Sequence, residues 1–392
     1  MASPTATSEA NAGFVRRDDH RTFIRLRGRR PGRPDPGITR ALTYLMSAAV
    51  HAITAAIMAA AIVVVVIWHD KVLGWLFGAG LAAVALWSRP RAVRPPDGAE
   101  EVSRAEAPTL FEVADRVAHA AGVAPPATVY LHDRLFACAH LRVGVRRRPA
   151  LVIGLPLLLT LTPRERAGML AVAFSEDVGG DPARGLLVRS ALLTAGEWRH
   201  ALLSARVERH RPTGDAVIDN VWFPGERIGS QLIGKITGAV LGWPLFLAEF
   251  ALTRLLAGQS QVARYYADQV AARAVSTPAV LRYLDALTMA DGRLTPILSA
   301  ARRGASIDEI RRAVPLSGDV DREAVIARRE ASSARRTWRD LAPPLALRAA
   351  LLEEGDAQEG STGIDEAESD RIDAELSHHL ARTVRTLSQS SP

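Results

Sequence analysis

Cysteine is almost absent: Cys138 stands alone in 392 residues, which excludes a disulfide within the chain. Lysine is nearly absent too. Only Lys71 and Lys235 occur among 49 basic residues, an arginine bias of the kind GC-rich bacterial genes show. The net charge of +7 names no partner by itself, and no nucleic acid is expected. Histidines are few. None of the ten lies four residues from another, the spacing at which a helix sets two His one turn apart on one face for a metal ion.

What the chain does have is long uncharged stretches. Residues 1–40 are polar, carry nine Arg with Pro31, Pro34 and Pro36, and are expected to be disordered. They are too long and too charged to be a cleaved leader. Ala41–Trp68 is then apolar apart from His51, long enough at ~1.5 Å per residue to cross a ~30 Å hydrocarbon layer. His69-Asp70-Lys71 reads as a turn and Val72–Ser88 as a second, short span, followed by Arg89, Arg91 and Arg94. Arginine on both outer flanks places both flanks in the cytoplasm. The reading is a multi-pass protein of the cell membrane with a transmembrane hairpin over 41–90 and the lipid bilayer as partner. The alternative is a buried helical hairpin of a soluble protein.

Beyond a linker over 95–107, Pro108–Ala121 is an amphipathic helix with Leu110, Val113, Val117 and Ala121 on one face. Ala127–His132 and Ala150–Gly154 read as strands, and Phe136–Pro149 lies between them. Leu186–Val207 is a packed helix and 210–227 a loop. Ile228–Leu256, broken by Lys235, Pro244 and Glu249, reads either as an interfacial or re-entrant helix pair or as a buried hairpin. Ser260–Val275 is helical. Residues 353–392 form an acidic flexible tail, with a short terminal helix over Ile372–Leu387.

The most structured signal is Leu161–Asp181, LTPRERAGMLAVAFSEDVGGD. Thr162 is an N-cap, Pro163 the first helical residue, Glu165 completes a capping box, and Gly179-Gly180 ends the helix. This frame resembles the capped helix of the membrane-anchored zinc metallopeptidases of the HtpX and CAAX-prenyl-protease family. There it carries His-Glu-x-x-His and an Asp five residues later. The resemblance puts those positions at Val172, Ala173, Glu176 and Asp181. The family's later Glu-x-x-x-Asp helix matches Arg264 through Asp268, so the third ligand is Arg264 and the Asp is kept. Its His-Pro-Pro-x-x-x-Arg segment matches Ala342 through Arg348. Its substrate-pairing edge strand matches Ala137-Cys138-Ala139, with Phe136 where the family has Asn.

The resemblance implies an α+β, mainly helical chain: a two-helix transmembrane hairpin, then a gluzincin-like peptidase-fold domain with a small β-sheet over 91–352. Zinc is the family's cofactor, but none of its ligands stands here. No catalytic residue, metal or other cofactor is therefore expected at Val172, Ala173, Glu176, Arg264 and Ala342. Glu176, Arg264, Asp181, Asp268 and Arg348 are expected to be structural at the former site, with a Glu176–Arg264 salt bridge shared by Asp268 or Asp181. The function expected is that of a catalytically inactive membrane-bound homologue acting as a binding or regulatory protein, its partner an extended peptide or protein held at 137–139. The alternatives are an active membrane metalloendopeptidase with unusual ligands, and a scaffold working through its tails.

Overall fold

The computed structural model describes residues 16–89, 93–144, 146–203, 233–313, 322–334, 337 and 339–389, without side chains at 199–203, 233–246, 291, 322 and 332–334. The loop read over 210–227, the start of the apolar run at Ile228, Arg91 and residues 1–15 lie outside them.

A helix over 16–26, α1, comes first. It corrects the expectation of disorder over 1–40 for these residues. Phe23 is buried with Tyr265 and Leu351, Asp18 accepts from Arg254 at 3.0 Å, and Asp19 from the Gln261 amide at 2.6 Å. Arginine content alone suggested a solvated segment; one buried ring and two docked acids order it.

The apolar runs form α2, Ile38–Ile67, and α3, Val72–Trp87. α2 is 30 residues long and is the one described helix long and apolar enough to cross a membrane, with a mean hydropathy of 2.7 over its most apolar stretch. α3, at 16 residues, spans about 24 Å at ~1.5 Å per residue, less than a ~30 Å hydrocarbon layer. It folds back on α2, with Gly78 against Val65 and Ala61, so that small residues let the two backbones approach. The buried positions of α2 are mostly small or hydroxylated: Thr43, Ser47, Val50, Thr54 and Ala61. Ile62, Val66, Trp75 and Phe77 face outward instead. The Thr43, Ser47 and Thr54 hydroxyls each donate to the carbonyl four residues back, which satisfies them where they are buried, on the side of α2 whose Val50 packs with Val188, Ala191, Leu252 and Leu256.

Four strands make one mixed sheet in the order β1-β2-β4-β3: β1 is Glu100–Val102, β2 Thr128–His132, β3 Cys138–Val143 and β4 Arg148–Gly154. β2 runs parallel to β4, and β1 and β3 antiparallel to their neighbours. β1 falls in the stretch read as a linker, which its three-residue length explains. Val129 and Leu131 alternate inward on β2.

The helices that follow are α4, Pro108–Ala120; α5, Leu155–Thr160; α6, Pro163–Val178; α7, Leu186–Leu203; and α8, Ile233–Val275. After them come α9, Thr277–Thr288; α10, Ala290–Arg302; α11, Ile307–Ala313; α12, Arg322–Ala334; α13, Leu345–Glu354; α14, Glu366–Glu375; and α15, Ser377–Ser388. α8 is one continuous helix of 43 residues, not the separate helix pair expected before Ser260.

α6 is the central helix; Glu165 through Ser175 are all buried in it. The capping box forms as its sequence dictates, the Thr162 amide donating to Glu165 at 2.8 Å. Arg293 adds a buried partner, donating to the other Glu165 oxygen at 2.9 Å and to the Thr160 carbonyl at 2.9 Å. At Gly168, α6 passes so close to the Ala279 carbonyl that a Cβ would overlap it.

The acidic tail is also corrected. Ile372, Leu376 and Leu380 are buried in the main core. Glu375 accepts from the Thr109 and Leu110 amides at 2.9 and 3.2 Å, capping the bare N-terminus of α4. Arg166, itself buried, pairs with Asp373 at 3.0 Å. Glu375 and Asp373, which read as part of a solvated run, are docking contacts.

Candidate functional site

The site lies where the end of α6 meets α8 and the edge strand β3. Val172 and Ala173 point into the hydrophobic core, 5% and 1% exposed, and offer no donor atom. One turn on, Glu176 emerges at the rim. Arg264 of α8 pairs with its Oε1 and Arg184 with its Oε2. Asp268, one turn beyond Arg264, does not share that guanidinium. It takes both donors of Arg348 from α13, at 2.8 and 2.6 Å, in a pair almost wholly out of water.

Asp181 does not share it either. Its Oδ1 accepts from Ser260 at 2.7 Å and from the Ala183 amide at 2.9 Å, capping a short 3-10 turn over Pro182–Arg184. That turn aims Arg184 back into the site, where it also pairs with Asp177 at 3.3 Å and donates to the His140 carbonyl. Sequence reasoning missed Arg184. The Asp-Pro pair after Gly179-Gly180 signals the turn, but which way the turn presents its last residue depends on α6 and β3 meeting there.

Asp177 is ringed by His140 Nδ1 at 3.2 Å and Arg142 Nε at 3.4 Å besides Arg184. Burial pushes its carboxyl up, but His140 and the Arg184 and Arg142 guanidinia outweigh that and hold it below the ordinary range. Burial pushes Asp181 up, against the Ser260 and Ala183 hydrogen bonds. Burial, then the Arg348 charge, push Arg264 down to about 9, so the guanidinium that pairs with Glu176 is charged at neutral pH.

Ala137, Cys138 and Ala139 are buried, 3–5% exposed. Ala137 and Ala139 pack with Leu135, Leu141 and Val152 on one face of the sheet, and Cys138 enters the main core on the other, where burial pushes its thiol far up. The Ala137 carbonyl accepts from Gly154, so the alternation of the antiparallel ladder turns the His140 main chain away from β4, toward the open edge. Arg184 occupies that carbonyl. Ala342 sits half-buried ahead of α13 and has no ligand atom.

The residues do not fit the zinc ion that the resemblance implies. Of the three ligand positions, Val172 is hydrocarbon, the carboxylate of Glu176 is held by two guanidinia, and Arg264 is itself a cation; the general-base position, Ala173, is hydrocarbon too. Next to this network lies a cleft of about 240 Å³. Arg40, Arg142, Arg147, Arg184 and Arg189 line it against Glu176, Asp177 and Asp181, with Tyr44 of α2 at its mouth. Five guanidinia against three carboxylates leave the lining with an excess of positive charge beside the first turns of the apolar hairpin.

Compared with family models, curated proteins and solved structures, the chain matches none.

Proposed function

We propose that this protein is a catalytically inactive, membrane-anchored relative of the HtpX and CAAX-type zinc metallopeptidases that works by binding a protein segment. The observation that carries the reading is the Glu176–Arg264–Arg184 network at the positions the resemblance gives to metal ligands. Zinc chemistry needs donors that converge on a cation; here charges neutralise one another and no carboxylate is left to act as base at Ala173. Arg184 also covers the His140 carbonyl, an edge acceptor that extended substrate would use, so we place the bound segment in the arginine-lined cleft rather than along 137–139. An acidic, extended segment suits it.

The hairpin of α2 and α3 is the proposed membrane anchor, crossing twice, with both chain ends and the main domain in the cytoplasm. Its outward apolar and inward hydroxylated faces support this. The contact at its far end does too: Trp198 of α7 donates to Ser88, just after α3, at 2.6 Å, while His51, midway along α2, lies 3.0 Å from the Leu187 carbonyl. The test is the full chain in detergent with unfolded casein and added zinc. No cleavage is expected. Chelator-sensitive cleavage that disappears in Glu176→Ala would overturn the proposal in favour of an active peptidase with unusual ligands.

A further inference from the structure

A second cluster lies far along the sequence from this cleft, where α15 meets the loop between β1 and α4. Glu106 Oε1 stands 3.2 Å from His379 Nε2 and 3.5 Å from His378 Nε2, and all three atoms fall within 4.8 Å of one another. It is the one group of three such ligands among the described residues. The two imidazoles lie side by side, ring centres 3.7 Å apart, which turns both Nε2 atoms toward the same carboxylate although their residues are consecutive on a helix. An ion about 2.0–2.1 Å from N and O ligands in a tetrahedron sets them roughly 3.3 Å apart. The two measured separations bracket that value.

The groups behind the ligands fit a metal as well. His379 is 1% exposed, and its other nitrogen, Nδ1, lies 3.1 Å from Glu100 Oε2. A metal-bound imidazole typically donates its remaining N–H to a carboxylate in this way, which fixes both tautomer and ring plane. Arg382 Nη2 also approaches that Nδ1, at 3.3 Å. Without a metal Nδ1 can accept from Arg382 while Nε2–H faces Glu106. With a metal at Nε2 the neutral ring would carry its proton on Nδ1 and donate it to Glu100, while Arg382 keeps its pairs with Glu100 and Asp133. His378 and Glu106 are partly exposed, so a fourth position opens to water.

The geometry points to a divalent metal site, His378–His379–Glu106 with Glu100 as positioning residue, that fastens the C-terminal helix to the start of the sheet domain. Two imidazoles and one carboxylate are the donor set of zinc. The site uses none of the residues of the cleft, so its fate is independent of the function proposed above.

The test uses the full chain in detergent, made without a histidine tag, stripped with chelator and titrated with zinc alone against a chromophoric competitor. One zinc per chain is expected, with slowed amide exchange over 366–388. Glu106→Gln and His378→Ala, both exposed and harmless to the core, should each weaken binding more than ~10-fold, and Glu100→Gln by ~10–100-fold through loss of the positioning bond. Glu359→Gln, exposed and outside both clusters, should leave binding unchanged. Absence of zinc binding at 100 µM (about −5.5 kcal/mol), or binding that survives Glu106→Gln and His378→Ala, would overturn the assignment.

Discussion

Removing one partner from the Glu176–Arg264 pair tests the core of the argument, and the two directions are unequal. Removing one member of a buried pair costs about 3–5 kcal/mol when the other charge is stranded. Here the side chains are 11% and 19% exposed, so some solvent screening lowers the figure. Arg264→Ala leaves Glu176 with Arg184, so the cost should be small, about 1 kcal/mol. Glu176→Ala strands Arg264 beside the Arg348 charge and takes one of the partners of Arg184, which keeps Asp177 and the His140 carbonyl, so the cost should reach about 2–4 kcal/mol. The double variant should cost about 1–2 kcal/mol less than the sum of the two. Urea unfolding in a fixed detergent, followed by tryptophan fluorescence, gives all four corners of the cycle. Coupling below about 0.3 kcal/mol, or a larger loss from Arg264→Ala than from Glu176→Ala, would refute the reasoning.

Other consequences are open to direct measurement. Reporter fusions at Asp70 and after the last residue should report opposite sides of the membrane; the same side at both points would end the two-crossing hairpin. Asp177 is held below its ordinary value near 3.8, so its stabilising contribution is complete above that pH and is lost as pH falls through its lower folded value. Asp177→Asn should therefore be less stable than wild type at neutral pH, and the gap should close below about pH 4. Leu380→Ala in α15, buried at 1% exposure, should cost about 2–5 kcal/mol and raise protease sensitivity of the C-terminus; an indifferent variant would mean the tail is not docked.

Where local chemistry sufficed, the sequence carried the answer. The capped helix from Thr162 to Gly179 was legible because cap, proline, capping-box acid and closing glycines act within a few residues of one another. The two apolar runs were legible because hydropathy and length need no partner. Loss of the ligand atom at Val172 and of the base at Ala173 is a property of side-chain type alone. Tertiary structure decided the rest. Asp268 went to Arg348 and Asp181 to Ser260 because α13 and the middle of α8 bring those groups closer than Arg264, from 80 and 79 residues away. Arg184 entered the site through a turn whose direction only the meeting of α6 and β3 fixes. The N-terminal arginines and C-terminal acids read as solvated because charge dominates their composition. Phe23, Ile372, Leu376 and Leu380 dock both segments, since burying a few apolar side chains outweighs ordering a short helix once a complementary surface is present.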